Sequence, residues 1–281
     1  MPELPDLLYI KKHLKKNVEG KTINDVIVKQ PIILRIAFEQ PITHVLARKS
    51  IDAIEIHGPF IRFGLSASTD LIINLMLAGK LHYQQPGEKI AGHLCCSLVL
   101  DDNSHLNLCD EDKMAKLYVV PHGNYALVPK YKEQGADILS PQFTFDVFKT
   151  LARKNSRRQV RVFINDHTSL SSIGNAYADE ILFDAQIHPK TFVSKLNDVE
   201  LRRLFGSIRS VMEWGIREVE RVGQPIHIKV RDHMKVRNRK GQPCPRCGTT
   251  IRREGVRGYD VFFCPSCQPA SRKLFIDWGK M

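Results

Sequence analysis

Four cysteines near the C-terminus constrain the fold of this chain more than any other feature. Cys244-Pro245-Arg246-Cys247 is followed, after sixteen residues, by Cys264-Pro265-Ser266-Cys267. Two thiolates three positions apart can both reach one tetrahedral ion, and the intervening stretch is long enough for a β-hairpin that returns the second pair. The spacing therefore predicts a zinc ribbon with Cys244, Cys247, Cys264 and Cys267 as ligands. Four protein ligands close the coordination sphere, so the ion is expected to be structural and to hold no catalytic water. A redox dithiol is the competing reading of one C-x-x-C, but it does not account for two in register.

The hairpin lies in the basic part of the chain. The formal net charge is +12 over 281 residues, and from Leu201 to Met281 eighteen Lys and Arg face seven Asp and Glu. The remainder is close to neutral. A local excess of this kind calls for a polyanionic partner, and nucleic acid fits because neutralised phosphates release counterions. A basic face kept for solubility is the alternative that charge alone leaves open. No apolar run is long enough to span a membrane, and no secretory leader is evident at the N-terminus. Cysteines in metal spacing, with Cys95, Cys96 and Cys109 in strand-like sequence, suit a reducing compartment. The expected location is the cytoplasm.

Leu4, Leu7, Leu8, Leu14 and Val18 recur at helical spacing over the first twenty residues, with Gly20 placed to end the helix. Short stretches rich in β-branched residues follow, at 26–28, 51–56, 61–65, 71–75 and 94–100, separated by turn sequences. They predict a β-sandwich or barrel to about residue 128. After Pro129 the periodicity becomes helical, at 143–154, 159–164, 177–185 and 198–222. Asp198 is placed to cap the last helix, and Gly223 lies just past its end. Residues 224–241 form a basic connector into the ribbon. The reading is an α+β multidomain protein: an N-terminal β-sandwich domain over 1–128, a helical domain over 129–228, and the connector with its zinc ribbon over 229–281.

Two further motifs bear on chemistry. Met1-Pro2-Glu3-Leu4-Pro5-Asp6 puts a proline at the terminus once Met1 is removed. A terminal secondary amine can attack C1′ of a damaged or abasic nucleotide and form an iminium, and a neighbouring carboxylate can move the proton. An α-amino group near ~7.7–8.0 is roughly ten per cent neutral at pH 7, whereas a lysine near ~10.4 is almost wholly protonated. The same residues also suit a helix start, with Pro2 as first helical residue and Glu3 on the helix dipole. In Ile173-Gly174-Asn175, a turn at Gly174 lets Asn175 open a helix, which makes either a phosphate site or an ordinary N-cap.

Together these features resemble the formamidopyrimidine-DNA glycosylase / endonuclease VIII family of base-excision repair enzymes. The resemblance rests on the Pro-Glu-Leu-Pro start, the Ile-Gly-Asn-x-Tyr-Ala-x-Glu-x-Leu-Phe-x-Ala-x-Ile-His-Pro run from Ile173 to Pro189, Arg-Lys-Gly-Gln-Pro-Cys from Arg239 to Cys244, and the terminal cysteine pairs. It implies a β-sandwich, a helix–two-turn–helix module and a zinc hairpin, with double-stranded damaged DNA bound between domains by a monomer associated with the nucleoid. It also implies removal of oxidised or ring-opened bases and strand cleavage through the proline iminium. The lesion is flipped out of the stack, at a cost of roughly a few kcal/mol that is smaller for a damaged than a sound pair. In the resemblance Pro2 is the nucleophile, Glu3 the acid/base and Asn175 a phosphate ligand, and Arg239 lies in a segment near DNA.

The chain departs from the family pattern at several positions. Where the family has a lysine on an early strand turn this chain has Pro59, with His57 and Arg62 as the neighbours able to substitute. The second carboxylate of the opening motif is shortened to Asp6. The residues that fill the gap left by the flipped base become Leu77, Lys113 and Met114, without the usual arginine. At the tip of the ribbon Tyr259 replaces an arginine, with Arg257 two residues away. Two readings follow: an active bifunctional glycosylase and abasic-site lyase with altered lesion preference, or a catalytically weakened or inactive relative that binds damaged or abasic DNA. A zinc-ribbon RNA-binding or scaffold protein does not account for the long central match.

Overall fold

A computed structural model describes residues 1–256 and 258–270. Helix α1 (Leu4–Asn17) buries Leu4, Leu7, Ile10 and Leu14 on one face and exposes Lys12, Lys15 and Lys16 on the other. It ends three residues before Gly20, because Val18 is buried at the C-cap. Gly20, at φ +87°, then turns the chain so that its N–H donates to the Ile51 carbonyl at 2.7 Å.

The strands β1 (Ile23–Val28), β2 (Leu34–Ile36), β3 (Ile51–His57), β4 (Phe60–Leu65), β5 (Thr69–Asn74), β6 (Lys80–Gln84), β7 (Leu94–Leu100), β8 (His105–Cys109) and β9 (Lys116–Pro121) follow, with a short helix α2 (Ile42–Leu46) among them. They form a four-stranded sheet in the order β1-β7-β8-β6 and a five-stranded sheet in the order β2-β9-β5-β4-β3. Pairing is antiparallel except between β2 and β9. Ile54, Ile61, Phe63, Leu71, Ile73, Leu98, Leu106, Leu117 and Val119 meet α1 in one apolar core. The expected sandwich is therefore present, in two layers that interdigitate their inner faces.

The expectation missed β2, β6, β8 and β9. β6 is a sheet edge carrying Lys80, His82 and Gln84, so its apolar content is low. β9 is apolar on both faces: Tyr118 and Val120 pack with Phe60, Ile72, Val128 and Tyr131 in a second cluster, which erases the two-residue alternation.

The second half is helical: α3 (Phe145–Lys154), α4 (Val160–Ile164), α5 (Asn175–Asp184) and α6 (Asp198–Val222), followed by a hairpin of β10 (Arg252–Val256) and β11 (Tyr259–Phe263). Asp198 is not the cap of α6. Asn197 Oδ1 accepts the Glu200 N–H and the Glu200 carboxylate accepts the Asn197 N–H, both at 2.9 Å. This reciprocal Asn-x-x-Glu box takes the capping role. It leaves Asp198 to pair with Lys149 at 2.6 Å. A side chain at Gly215 on α6 would run into the Tyr177 ring, so glycine is what lets that fully buried tyrosine pack. Two compact units result: Met1–Gln134 with Ile216–Val230, and Gly135–Gly215 with the described residues from Arg231 onward.

Candidate functional site

The four C-terminal cysteines converge. Their sulfurs lie within 4.8 Å of one another, with Cys244–Cys267 at 3.9 Å and Cys247 at 3.4 Å from both Cys264 and Cys267. A tetrahedron with bonds of about 2.3 Å has S···S edges near ~3.8 Å, so the donor set fits zinc. The N–H groups of Arg246 and Cys267 donate to Cys244 Sγ and Cys264 Sγ at 3.4 Å, which orients the thiolates. These residues form the ligand set of one structural zinc ion. Gln268 ties the knuckle inward: its oxygen accepts the Cys264 N–H at 3.0 Å and its nitrogen donates to the Ile187 carbonyl at 2.9 Å.

Two buried carboxylates on α5 hold the approach to the hairpin. Glu180 accepts the backbone N–H groups of Lys235, Val236 and Arg237 at 3.0, 2.9 and 2.9 Å. Asp179 receives Arg161 at 3.0 Å, Arg237 at 2.8 Å and the Phe262 N–H at 3.3 Å. Burial pushes both carboxyl pKa values up, and these donors oppose it. The guanidinium of Arg239 turns back on its own segment, donating to the carbonyls of Asp232 and Met234 and to Gln242.

Asn175 is the first residue of α5, behind Gly174. Arg161 donates to its side-chain oxygen at 2.9 Å. Arg161 also lines a cavity of about 350 Å³ with Arg158, Asn165, Asp166 and Tyr259. Arg158 is ion-paired to Asp166 there, and Tyr259 is 57 % exposed. Arg257, the arginine nearest Tyr259 in sequence, lies outside the described residues.

At the other end of the chain Glu3 caps α1, Pro5 falls in its first turn, and Asp6 Oδ2 accepts the Glu3 N–H at 2.8 Å. The shortened carboxylate therefore reaches its own helix cap. Pro2 precedes the cap, so the alternative that makes it the first helical residue does not hold. Pro2, Glu3 and Asp6 are all buried. The Leu77 carbonyl accepts both the N-terminal ammonium at 3.0 Å and Lys229 Nζ at 3.2 Å. Pro2, Asp6, Lys80, His227 and Lys229 line one cavity of about 10 Å³, roughly a single water's worth.

Comparison with known proteins fixes the family. Residues 1–117 match the formamidopyrimidine-DNA glycosylase N-terminal domain, residues 134–224 the formamidopyrimidine-DNA glycosylase H2TH domain, and residues 241–270 a zinc finger found in FPG and IleRS. The formamidopyrimidine-DNA glycosylase of Symbiobacterium thermophilum is 32% identical over 281 residues, covering 96% of this chain and 90% of that protein. The chain belongs to the formamidopyrimidine-DNA glycosylase family. The crystal structure of the MutM (Fpg) protein of Thermus thermophilus superimposes with a TM-score of 0.83 at 27% identity, covering 96% of this chain and all of that one. The Lactococcus lactis Fpg in complex with DNA containing an abasic site shares the fold, with a TM-score of 0.85 at 22% identity over 95% of this chain and all of that one.

Both neighbours of Pro59 bond to groups in the sandwich unit. His57 Nε2 donates to the Tyr131 carbonyl at 2.7 Å, and Arg62 pairs with Asp70 at 2.9 Å and Glu55 at 2.7 Å. Both are held on the outer side of their sheet by that buried aspartate and aromatic cluster.

The three gap-filling candidates sit on two abutting loops. Leu77 is 60 % exposed, Met114 38 %, and Lys113 is also exposed. Each apolar tip follows a left-handed residue, Met76 at φ +49° and Lys113 at φ +54°. A Cβ on Gly79 would run into the Leu75 carbonyl and stand 3.0 Å from Ala115, so glycine lets the loops touch. Asp110 sets the second loop, accepting the Asp112 N–H at 3.0 Å and the Ala115 N–H at 2.7 Å. Sequence reasoning missed Asp110, Arg158, Glu180 and Lys229. Glu180 lies inside the matched run, where its glutamate was visible without its role; the others belong to no motif.

Proposed function

We propose that this protein excises oxidised or ring-opened bases from double-stranded DNA and then cuts the strand through an iminium on Pro2. The observation that carries the reading is the position of Pro2: outside the helix it precedes, buried, beside a buried Glu3, and on the wall of a small cavity that Asp6, Lys80, His227 and Lys229 also line. The neutral amine of the processed terminus attacks C1′, and the glycosidic bond breaks with its electron pair on the base. Glu3, entering protonated, gives its proton to the departing base, takes the one proton that the amine releases and passes it to the ring oxygen. Opening of the C1′–O4′ bond leaves the iminium, which acidifies C2′–H; loss of that proton expels the C3′ phosphate.

Asn175 presents its amide nitrogen to a backbone phosphate, and Arg239 adds charge from the connector. Leu77, Lys113 and Met114 fill the gap left by the flipped nucleotide. The protein acts as a monomer in three parts: chemistry in 1–128, duplex grip in 129–228, and the hairpin in 229–281.

The test is borohydride trapping of protein freed of Met1 on a duplex holding one abasic site. A covalent adduct that disappears when Pro2 is blocked is the expected result, and Glu3→Gln should abolish base excision while sparing DNA binding. Tight binding without any adduct would leave the second reading, a reader of damaged DNA.

A further inference from the structure

The reaction end of this chain lacks charge where the family pattern puts a lysine, since Pro59 has none and both His57 and Arg62 are held elsewhere. A different ammonium reaches the start of the chain. Lys229, seven residues past the end of α6, donates to the Leu77 carbonyl, and so does the ammonium of Met1, the residue that precedes Pro2. Sharing one acceptor at 3.2 and 3.0 Å puts Lys229 Nζ within about 6 Å of the Met1 nitrogen, one residue ahead of Pro2. A like charge within ~4–6 Å lowers the pKa of an amine. Lys229 also lines the same cavity as Pro2.

We propose that Lys229 is a positioning residue for the terminal amine: its charge disfavours the protonated form and so raises the fraction of Pro2 able to attack C1′. The inference rests on the proline reading above. The charged groups around the terminus come from three elements: Glu3 and Asp6 at the start of α1, Lys80 on β6, and His227 with Lys229 after α6. The two carboxylates favour a protonated amine. Asp6 is bonded to the Glu3 N–H, and Lys229 is the cation that shares the Leu77 carbonyl with Met1 and a cavity wall with Pro2.

The experiment compares the full chain, freed of Met1, with Lys229→Met and Lys229→Arg. Initial rates of borohydride trapping on an abasic-site duplex are followed from pH 5.5 to 9, with DNA affinity measured in parallel. The neutral amine reacts, so the rate rises with pH through the amine's pKa. Removing the nearby cation raises that pKa. For Lys229→Met the rising limb should move up by roughly half to one pH unit and the rate at pH 7 should fall about three- to tenfold. Lys229→Arg should restore both. Lys229 is exposed, so neither change disturbs packing. A Lys229→Met midpoint equal to wild type overturns the proposal even if the rate or the affinity falls, because that pattern belongs to a phosphate contact. Wild-type protein that forms no adduct at any pH overturns the proline reading itself, and the inference with it.

Discussion

In the unit that carries the zinc hairpin, functional residues are tied by polar bonds to partners far along the chain. Glu180 holds three amides of the connector, Asp179 joins Arg161, Arg237 and β11, and Gln268 links a zinc knuckle to Ile187. In the sandwich unit the exposed loops stand instead on an apolar core, with Leu75 and Ala115 buried in it below Leu77 and Met114. A metal and buried carboxylates can fix a small, basic segment that has little hydrophobic interior of its own. A two-sheet core can support loops in strained conformations without them. The first arrangement should fail all at once when one anchor goes, and the second should yield gradually.

Loss of zinc tests the first half of that contrast most severely. Cys264 is fully buried, and Cys264→Ser should abolish stoichiometric zinc, because binding free energies of about 10–16 kcal/mol at such sites are also folding free energies. Metal analysis with hydrogen exchange should find the hairpin unprotected and the sandwich strands unchanged. Protection lost equally in both units would erase the distinction.

Next in size, Glu180→Ala leaves three backbone N–H groups without their acceptor and should cost roughly 3 kcal/mol or more in denaturant unfolding. Glu180→Gln keeps an acceptor and should cost less. Equal losses for the two would mean that the charge, not the acceptor, secures the connector.

A smaller effect is expected at the cavity beside Asn175. If Arg158 meets a phosphate there, Arg158→Ala should weaken DNA binding a few-fold and lower the magnitude of the salt slope by about one. Tyr259→Phe removes a neutral donor and should leave the slope alone. Identical slopes for all three proteins would take Arg158 out of the interface.

The least effect concerns the histidines of the sandwich unit. Burial holds His13, His82 and His227 below the ordinary value of 6.5, and for His227 the neighbouring His82 and Lys80 add to it. Folding favours their neutral forms, so the stability they contribute is present above pH 6.5 and is lost as pH falls below it toward the folded values. The midpoint of the sandwich should drop by roughly a few degrees between pH 7 and pH 5.5. His82→Gln should flatten that dependence, and an unchanged slope would remove His82 as a source.

The zinc ligands, the long helix over 198–222, the sandwich-then-helix order and the family were all legible in the chain before any folding was considered. Each depends on residues close in sequence: a cysteine pair with one separation, a helical period, a matched run. The long helix could be read residue for residue, whereas its cap was misread because Asn197 and Asp198 are equally competent and only the position of Glu200 decides between them. Packing in three dimensions was needed to put Pro2 outside its helix and to hold Arg62 on Asp70 and Glu55. It was needed again to bind His57 to Tyr131 and to gather Lys229 beside the chain terminus at the Leu77 carbonyl. The contacts of His57, the terminus and Lys229 join residues 74, 76 and 152 positions apart. Burial of the sandwich core brings them together, and that leaves no spacing for a motif to record.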